Sequence, residues 1–249
     1  MEQGTPTIGT AAARHVRQPR LGQAHTAEGE LDLSAIYVIH HAVRRDLRDF
    51  AAALVRTPLA DADSWAALAD RWSQLTTALH HHTRVEDRGI WPEIARRLAA
   101  DHPGHRALDA MAADHLAIED LVVRVADAFS RIRTEPSESV RTLLVASFGR
   151  ADDAIRTHLA NEEVGALPLM QAHLPVELWQ SAQTDAGKEY GLSDLRFAVP
   201  WSAHEMPAEQ FDLAFAHGGF LIRLLLVITR GGFLKRHAKA FRHLSADGG

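Results

Sequence analysis

The segments HTRVEDRGIWP (residues 82–92) and HLANEEVGALP (residues 158–168) are two copies of one pattern, H-x3-E-[DE]-x-G-x-[WL]-P, at a constant offset of 76 residues. Glu86 matches Glu162, Asp87 matches Glu163, Gly89 matches Gly165 and Pro92 matches Pro168. Thr83, Arg84 and Val85 do not match Leu159, Ala160 and Asn161, so the copies keep the cation-binding side chains and let the others drift. Upstream the relation continues at an offset of 75: His40 with His115, Val43 with Ile118, Leu47 with Val122, Phe50 with Val125, and Leu54 with Phe129. The chain therefore holds two related halves, each with one solitary histidine and one H-x3-E pair.

The period around these residues is helical. Ile36, His40, Val43, Leu47, Phe50 and Leu54 form one stripe, with Arg44, Arg45, Asp46, Arg48 and Asp49 covering much of the remaining surface. Pro58 and the cluster Asp61–Ser64 end that helix and cap a second, whose stripe runs through Trp65, Leu68, Trp72, Leu75, Leu79, His82, Glu86 and Ile90. After a turn at Asp101–Gly104 a third stripe follows: Leu108, Met111, His115, Ile118, Val122, Val125 and Phe129. Beyond the break at Thr134–Ser137 a fourth contains Leu144, Phe148, Ala151, Ile155, His158 and Glu162. No stretch reads as a strand. Four amphipathic helices with short connections predict an all-α, up-down-up-down four-helix bundle.

One histidine on an apolar face is ordinarily a core residue satisfied by a neighbour. Four helices each turning one inward need a shared partner, because buried unpaired imidazoles are costly. Residues four apart on a helix differ by about 40° in direction, so His82 with Glu86, and His158 with Glu162, can reach one point. Four imidazoles and two carboxylates exceed what one ion with open positions uses, and they suit two ions sharing the glutamates, with iron the best match. On a regular helix Asp87 and Glu163 rotate off that face, towards solvent or behind the ligands. His41 lies about 100° round from His40 and matches Leu116, while His80 and His81 match Arg156 and Thr157, so all three read as outward or behind the site. Arg44 stands where the other helices carry Glu86, Glu119 and Glu162; it cannot ligate, but it can pair with a ligand carboxylate or steer an anion. Tyr37, one turn before His40, is either a core residue or a hydrogen-bond donor to a molecule at the metals.

Composition agrees with a nitrogen and oxygen site. The chain of 249 residues contains 16 histidines and no cysteine, which excludes disulfides, thiolate zinc, iron–sulfur clusters and a cysteine nucleophile. Between Leu213 and Ala246 stand Arg223, Arg230, Lys235, Arg236, Lys239 and Arg242 with no acid, so the remainder carries 21 basic against 32 acidic residues. An acidic body with a basic end does not suit nucleic acid. Residues 1–30 lack a hydrophobic stretch and read as a flexible arm of a cytoplasmic protein. The run Gly218–Thr229 is too short to span a bilayer and is interrupted by Arg223, so no transmembrane segment is expected. Residues 173–249 read as a helical extension, with pieces at Val176–Gln183, Lys188–Phe197, Ala208–Ile228 and Phe233–Leu244, punctuated by Pro175, Gly187, Pro200 and Pro207. Trp179, Trp201, Phe211, Phe215 and Phe220 would pack it on the bundle or on a second subunit as a homodimer; a basic amphipathic end can also meet an anionic membrane.

Helices bearing H, H-x3-E, H and H-x3-E in that order resemble the hemerythrin-like, or HHE cation-binding, family over roughly residues 31–172. The resemblance implies a four-helix bundle with two non-haem iron ions bridged by an oxo or hydroxo group and by carboxylates, manganese or zinc being the alternatives. It implies His40, His82, Glu86, His115, His158 and Glu162 as ligands. Oxygen-carrying members have H-x3-H on the third helix and H-x4-D on the fourth; here Glu119 replaces the extra histidine and stands as a candidate seventh ligand. Carboxylate-rich di-iron bundles act as oxidases and oxygenases, so the expected function is activation of O2 or peroxide, oxidase-like, oxygenase-like or catalase-like. The alternative is a sensor or store for O2, NO or iron without turnover.

Overall fold

The computed structural model describes residues 29–189, 191–206 and 219–244. Among them α1 spans Ser34–Arg56, α2 Ala62–Val85, α3 Trp91–Ala95, α4 Gly104–Thr134, α5 Glu138–Asn161 and α6 Leu167–His173. Then follow α7 (Val176–Glu189), α8 (Leu192–Ala203) and α9 (Gly219–Ala240), with no strand among the described residues. α1 packs on α5, α5 on α4, α4 on α2 and α2 on α1, which closes the four-helix bundle. The starts follow local chemistry: Asp61 accepts the Ser64 amide at 3.1 Å, and the Ser137 hydroxyl caps α5 through Val140.

Two short π-helical turns interrupt the regular helices, at Glu86–Ile90 and Glu162–Ala166. In each, the amide just after the turn reaches one residue further back than in an α-helix: Trp91 donates to the Glu86 carbonyl and Leu167 to the Glu162 carbonyl, an i to i−5 pairing. Pro92 and Pro168 explain the position. Proline has no amide hydrogen and its ring would strike the carbonyl four residues back, so an α-helical ladder cannot run through it undisturbed.

The core lies in two clusters on either side of the buried histidines. One holds Phe50, Trp72, Phe129 and Phe148; the other holds Leu31, Leu33, Tyr37, Ile90, Trp91 and Ile94. Gln171 clasps the start of the bundle, its side chain accepting the Leu31 amide at 3.0 Å and donating to the Leu31 carbonyl at 2.8 Å. The flexible arm expected before this point lies almost wholly outside the described residues.

The extension departs from the sequence expectation in three places. α9 runs unbroken through Gly231 and Gly232, because Phe233, Ala240 and Phe241 are buried in the Phe50 cluster and hold it as one helix. Pro200 lies inside α8; it forfeits one backbone hydrogen bond while Phe197, Val199 and Trp201 stay buried around it. Phe220 is 75% exposed, whereas Trp179 and Trp201 are buried. Phe211, Phe215 and the piece predicted from Ala208 to Gly218 lie outside the described residues. The basic end of α9 meets the acidic start of α2: Arg242 and His243 both reach Asp61, the latter at 2.8 Å, and Lys239 lies 3.8 Å from Asp63. No described helix is long and apolar enough to cross a membrane.

A larger correction concerns α1. Arg45, Asp46 and Asp49, expected on the surface, are buried, because α8 and α9 cover that side of the bundle. Asp46 is held by both Arg71 and Arg45, and the Arg71 guanidinium stacks 5.0 Å from the Phe197 ring and 4.8 Å from that of Phe233.

Under the same cover His204 and His237 face each other, Nε2 to Nε2, at 3.3 Å. Burial and the charge of Arg45 push His204 down to about 4; burial and His204 do the same to His237. An unfolded histidine titrates near 6.5. The unfolded chain therefore binds more protons at acid pH, so the stabilisation present above about pH 6.5 falls as pH drops towards 4. Thermal melts of the metal-free protein should show a shallower fall in Tm over that window for His237→Phe, which keeps the ring contacts to Phe233 and Phe241. An identical slope in both proteins would remove the pair from the acid response.

Candidate metal centre

Six side chains from α1, α2, α4, α5 and the two π turns converge between the core clusters. His40, His82 and Glu162 form one group and Glu86, His115 and His158 a second, in each of which one ligand atom per residue lies within 4.8 Å of the others. All six are buried, from 0% exposure for His40, His158 and Glu162 to 7% for His115. Each glutamate joins the histidines of the opposite half: Glu162 Oε2 lies 3.0 Å from His40 Nε2 and 3.6 Å from His82 Nε2, and Glu86 Oε2 lies 3.5 Å from His115 Nε2. Each also stays near the histidine of its own motif, Glu86 at 3.2 Å from His82 and Glu162 at 3.9 Å from His158. Both carboxylates thus stand between the two groups.

The outer partners decide which nitrogen carries the proton. His40 Nδ1 lies 2.8 Å from Glu163 Oε1, and His115 Nδ1 lies 2.9 Å from Asp87 Oδ1. An ionised carboxylate only accepts, so each Nδ1 donates; in the neutral ring the Nε2 lone pair then points inward. Those nitrogens meet His82 Nε2 and His158 Nε2 at 3.1 Å in each case. The inward nitrogens of His40 and His115 thus each face a second imidazole and a carboxylate. In addition, all four oxygens of Glu86 and Glu162 are buried without a hydrogen bond. Four ring nitrogens and two carboxylates gathered in a buried space fit cations, and the donor set of imidazole and carboxylate suits first-row transition metals.

Without metal, protons take the place of cations. Burial opposes charge on His40, but Glu162 and Glu163 outweigh it and push its pKa up to about 9. Burial lowers His82, and it lowers His158 to about 3. Burial together with the Glu162 charge raises Glu86 well above the carboxylate range. Burial also opposes ionisation of Glu162, yet His40 and His82 hold it well below that range. Near neutral pH the metal-free site therefore holds a His40 imidazolium beside Glu162, and Glu86 keeps a proton more readily than an ordinary carboxylate. A cation must displace the protons of His40 and Glu86.

Of the two places left open for Asp87 and Glu163, solvent or behind the inward residues, the structure takes the second, each against one histidine. The π turn starts at Glu86 and Glu162, and its wider winding turns the next residue less, so each neighbouring acid reaches a solitary histidine. The visible signal was the proline six residues after each glutamate. Arg44 extends the network on one side only, its guanidinium donating to Glu163 Oε1 at 2.7 Å. Glu119, Arg44's equivalent in the repeat, is exposed and joins neither group. No π turn redirects α4 there, and an acid cannot pair with Asp87 as Arg44 does with Glu163. Tyr37 is fully buried, its ring edge-on to His40 with centroids 6.4 Å apart. His41 is buried on the flank beneath α8; burial and then Arg45 push it down to about 4, and it belongs to neither group. His80 is exposed, and His81 sits 3.9 Å from Asp194.

Glu163→Gln and Asp87→Asn should each weaken metal binding 10- to 100-fold, the usual cost of losing the acid behind a ligating histidine. Competition titration with a chelator checks this. Because Glu163 is buried and paired with Arg44 while Asp87 is exposed, the larger loss is expected for Glu163→Gln.

Residues 31–170 match the family model described as the hemerythrin HHE cation-binding domain. No curated protein and no solved structure gives a significant match to the chain.

Proposed function

This chain belongs to the hemerythrin HHE cation-binding family, and we propose that His40, His82, Glu86, His115, His158 and Glu162 hold two iron ions that react with O2 or peroxide. The observation that carries the reading is the pair of buried, donor-free carboxylates between two pairs of inward-facing imidazole nitrogens. Bound there, such a metal pair supplies two-electron redox exchange with a small oxidant.

The protein's own groups prepare and guard that chemistry. Glu163 and Asp87 hold the Nδ1 protons of His40 and His115 and so keep both Nε2 lone pairs available. Arg44 anchors Glu163 in turn. Glu86 and His40 surrender protons when cations arrive, which makes metal uptake weaker as pH falls. The Phe50 and Trp91 clusters exclude bulk water from both ends. Two glutamates among the inward residues, with the exposed Glu119 where the carriers have a histidine, favour redox reactivity over simple carriage.

Metal analysis and the optical spectrum of the protein as purified test the assignment: two irons per chain with a bridged di-iron absorption are expected. Fewer than one iron, or a spectrally silent metal, would overturn it. Anaerobic Fe(II) loading followed by O2 tests the reactivity. A stable oxy spectrum that reverses over many cycles would instead make the protein a carrier or sensor.

A further inference from the structure

A cavity of about 790 Å³ lies between α1 and α2 of the bundle and the extension helices α7, α8 and α9, and His82 and Glu86 form part of its lining. Its volume is in the range that encloses a small organic ligand. Ile36, Ile39 and Val85 line the bundle side, and Trp179, Val199 and Trp201 line the side contributed by the extension. These last three lie beyond the residues that match the family model, so this wall is a property of this chain. Gln180, Gln183 and Thr184, all exposed and uncharged, mark the solvent side.

The charges in the lining select among ligands. Glu30 and Asp32 are present, and no lysine or arginine is. A fatty carboxylate or a phosphate would enter an apolar space that offers acids and no counter-charge, at a high desolvation cost. An uncharged molecule gains from apolar burial without that penalty. Glu86 adds the second observation: it is 1% exposed, and neither of its oxygens has a hydrogen-bond donor within the chain.

We propose that this cavity binds an uncharged organic molecule with an elongated apolar body and brings one end of it beside His82 and Glu86. As the substrate class of the metal centre the proposal rests on the reading of those residues as ligands; as a binding site it does not. The cavity makes the extension a specificity element, since α7, α8 and α9 supply the wall that selects for neutral, apolar molecules.

Calorimetric titration of the full chain with 1-decanol and with decanoate at pH 7.5 tests this, on metal-free and iron-loaded protein alike. Saturable one-site binding of 1-decanol is expected in both forms, with decanoate at least tenfold weaker in the metal-free protein, to which the comparison with decanoate is confined. Ala198→Trp and Ala78→Met, which add volume at two different walls, should each weaken 1-decanol at least tenfold while helix content by circular dichroism is unchanged. In cobalt(II)-loaded protein, 1-decanol should shift the visible bands. Absence of saturable binding, equal affinity for decanoate, or full affinity in both filled variants overturns the site. Binding without a shift of the cobalt bands overturns its link to the centre. Failure of the chain to take up metal, with 1-decanol binding intact, overturns the metal reading and leaves the cavity standing.

Discussion

On the proposal that two ions are held, Glu162→Ala should lower the metal content to one or none per chain, with an affinity loss of at least about 100-fold for what remains. No other side chain is placed so centrally. Its Oε2 lies 3.0 Å from His40, 3.6 Å from His82 and 3.9 Å from His158, so three of the four imidazoles face it. Removing an acid behind a ligand costs 10- to 100-fold, and removing a carboxylate that touches both groups must exceed that. The metal-free protein should tolerate the change better. Once Glu162 is gone, His40 loses one of the two acids that hold its proton but keeps Glu163 at 2.8 Å, so the ring is not left without a partner. Metal analysis by mass spectrometry, beside a circular dichroism spectrum, separates the two effects. Retention of two ions in Glu162→Ala would exclude the carboxylate as a shared ligand.

Asp46→Ala should destabilise the fold by about 3–5 kcal/mol, the usual consequence of breaking a buried ion pair from one side. Asp46 is fully buried, and Arg71 grips it twice, Nε to Oδ2 at 2.7 Å and Nη2 to Oδ1 at 3.0 Å. Arg45 adds a third bond at 3.1 Å and donates onward to the His204 carbonyl at 2.6 Å. Both guanidiniums are at most 4% exposed, so the substitution would leave two cations without their anion. Because Arg71 also stacks on Phe197 and Phe233, the loss should be felt where α8 and α9 meet the bundle. Urea unfolding should give a lower midpoint, and hydrogen exchange should rise first in α8 and α9. The double variant Asp46→Leu with Arg71→Met should recover part of the loss, since apolar replacement of a buried pair is often nearly neutral. A double variant as unstable as the single one would mean that packing, not the uncompensated charge, sets the cost.

The two variants divide the molecule in an informative way. Glu162 belongs to a pattern repeated in the chain, and its neighbours follow from helical spacing. Asp46 sits in the run RRDLRD, which looks like any solvated helix flank. Its burial depends on α8 and α9 returning to cover α1, a contact between residues more than 150 positions apart in sequence, as in the Arg45–His204 bond. Tertiary docking likewise hid the His204–His237 pair, 33 positions apart in sequence, and the wall of the cavity. The partners of Asp87 and Glu163 depend on a local departure, the π turn before each proline, which a constant helical step does not contain.

Hydrophobic period and the internal repeat were enough to specify an all-helical bundle and the six residues that meet at its centre. Both follow from short-range geometry, because a helix places residues three and four apart on one face whatever it packs against. The tertiary structure alone brought each glutamate near histidines of the opposite half, set Glu163 and Asp87 against the Nδ1 atoms of His40 and His115, and left Glu119 exposed. It alone buried Asp46 and enclosed the apolar cavity beside Glu86. Those outcomes depend on how helices distant in the chain are docked, and neither period nor spacing carries that information.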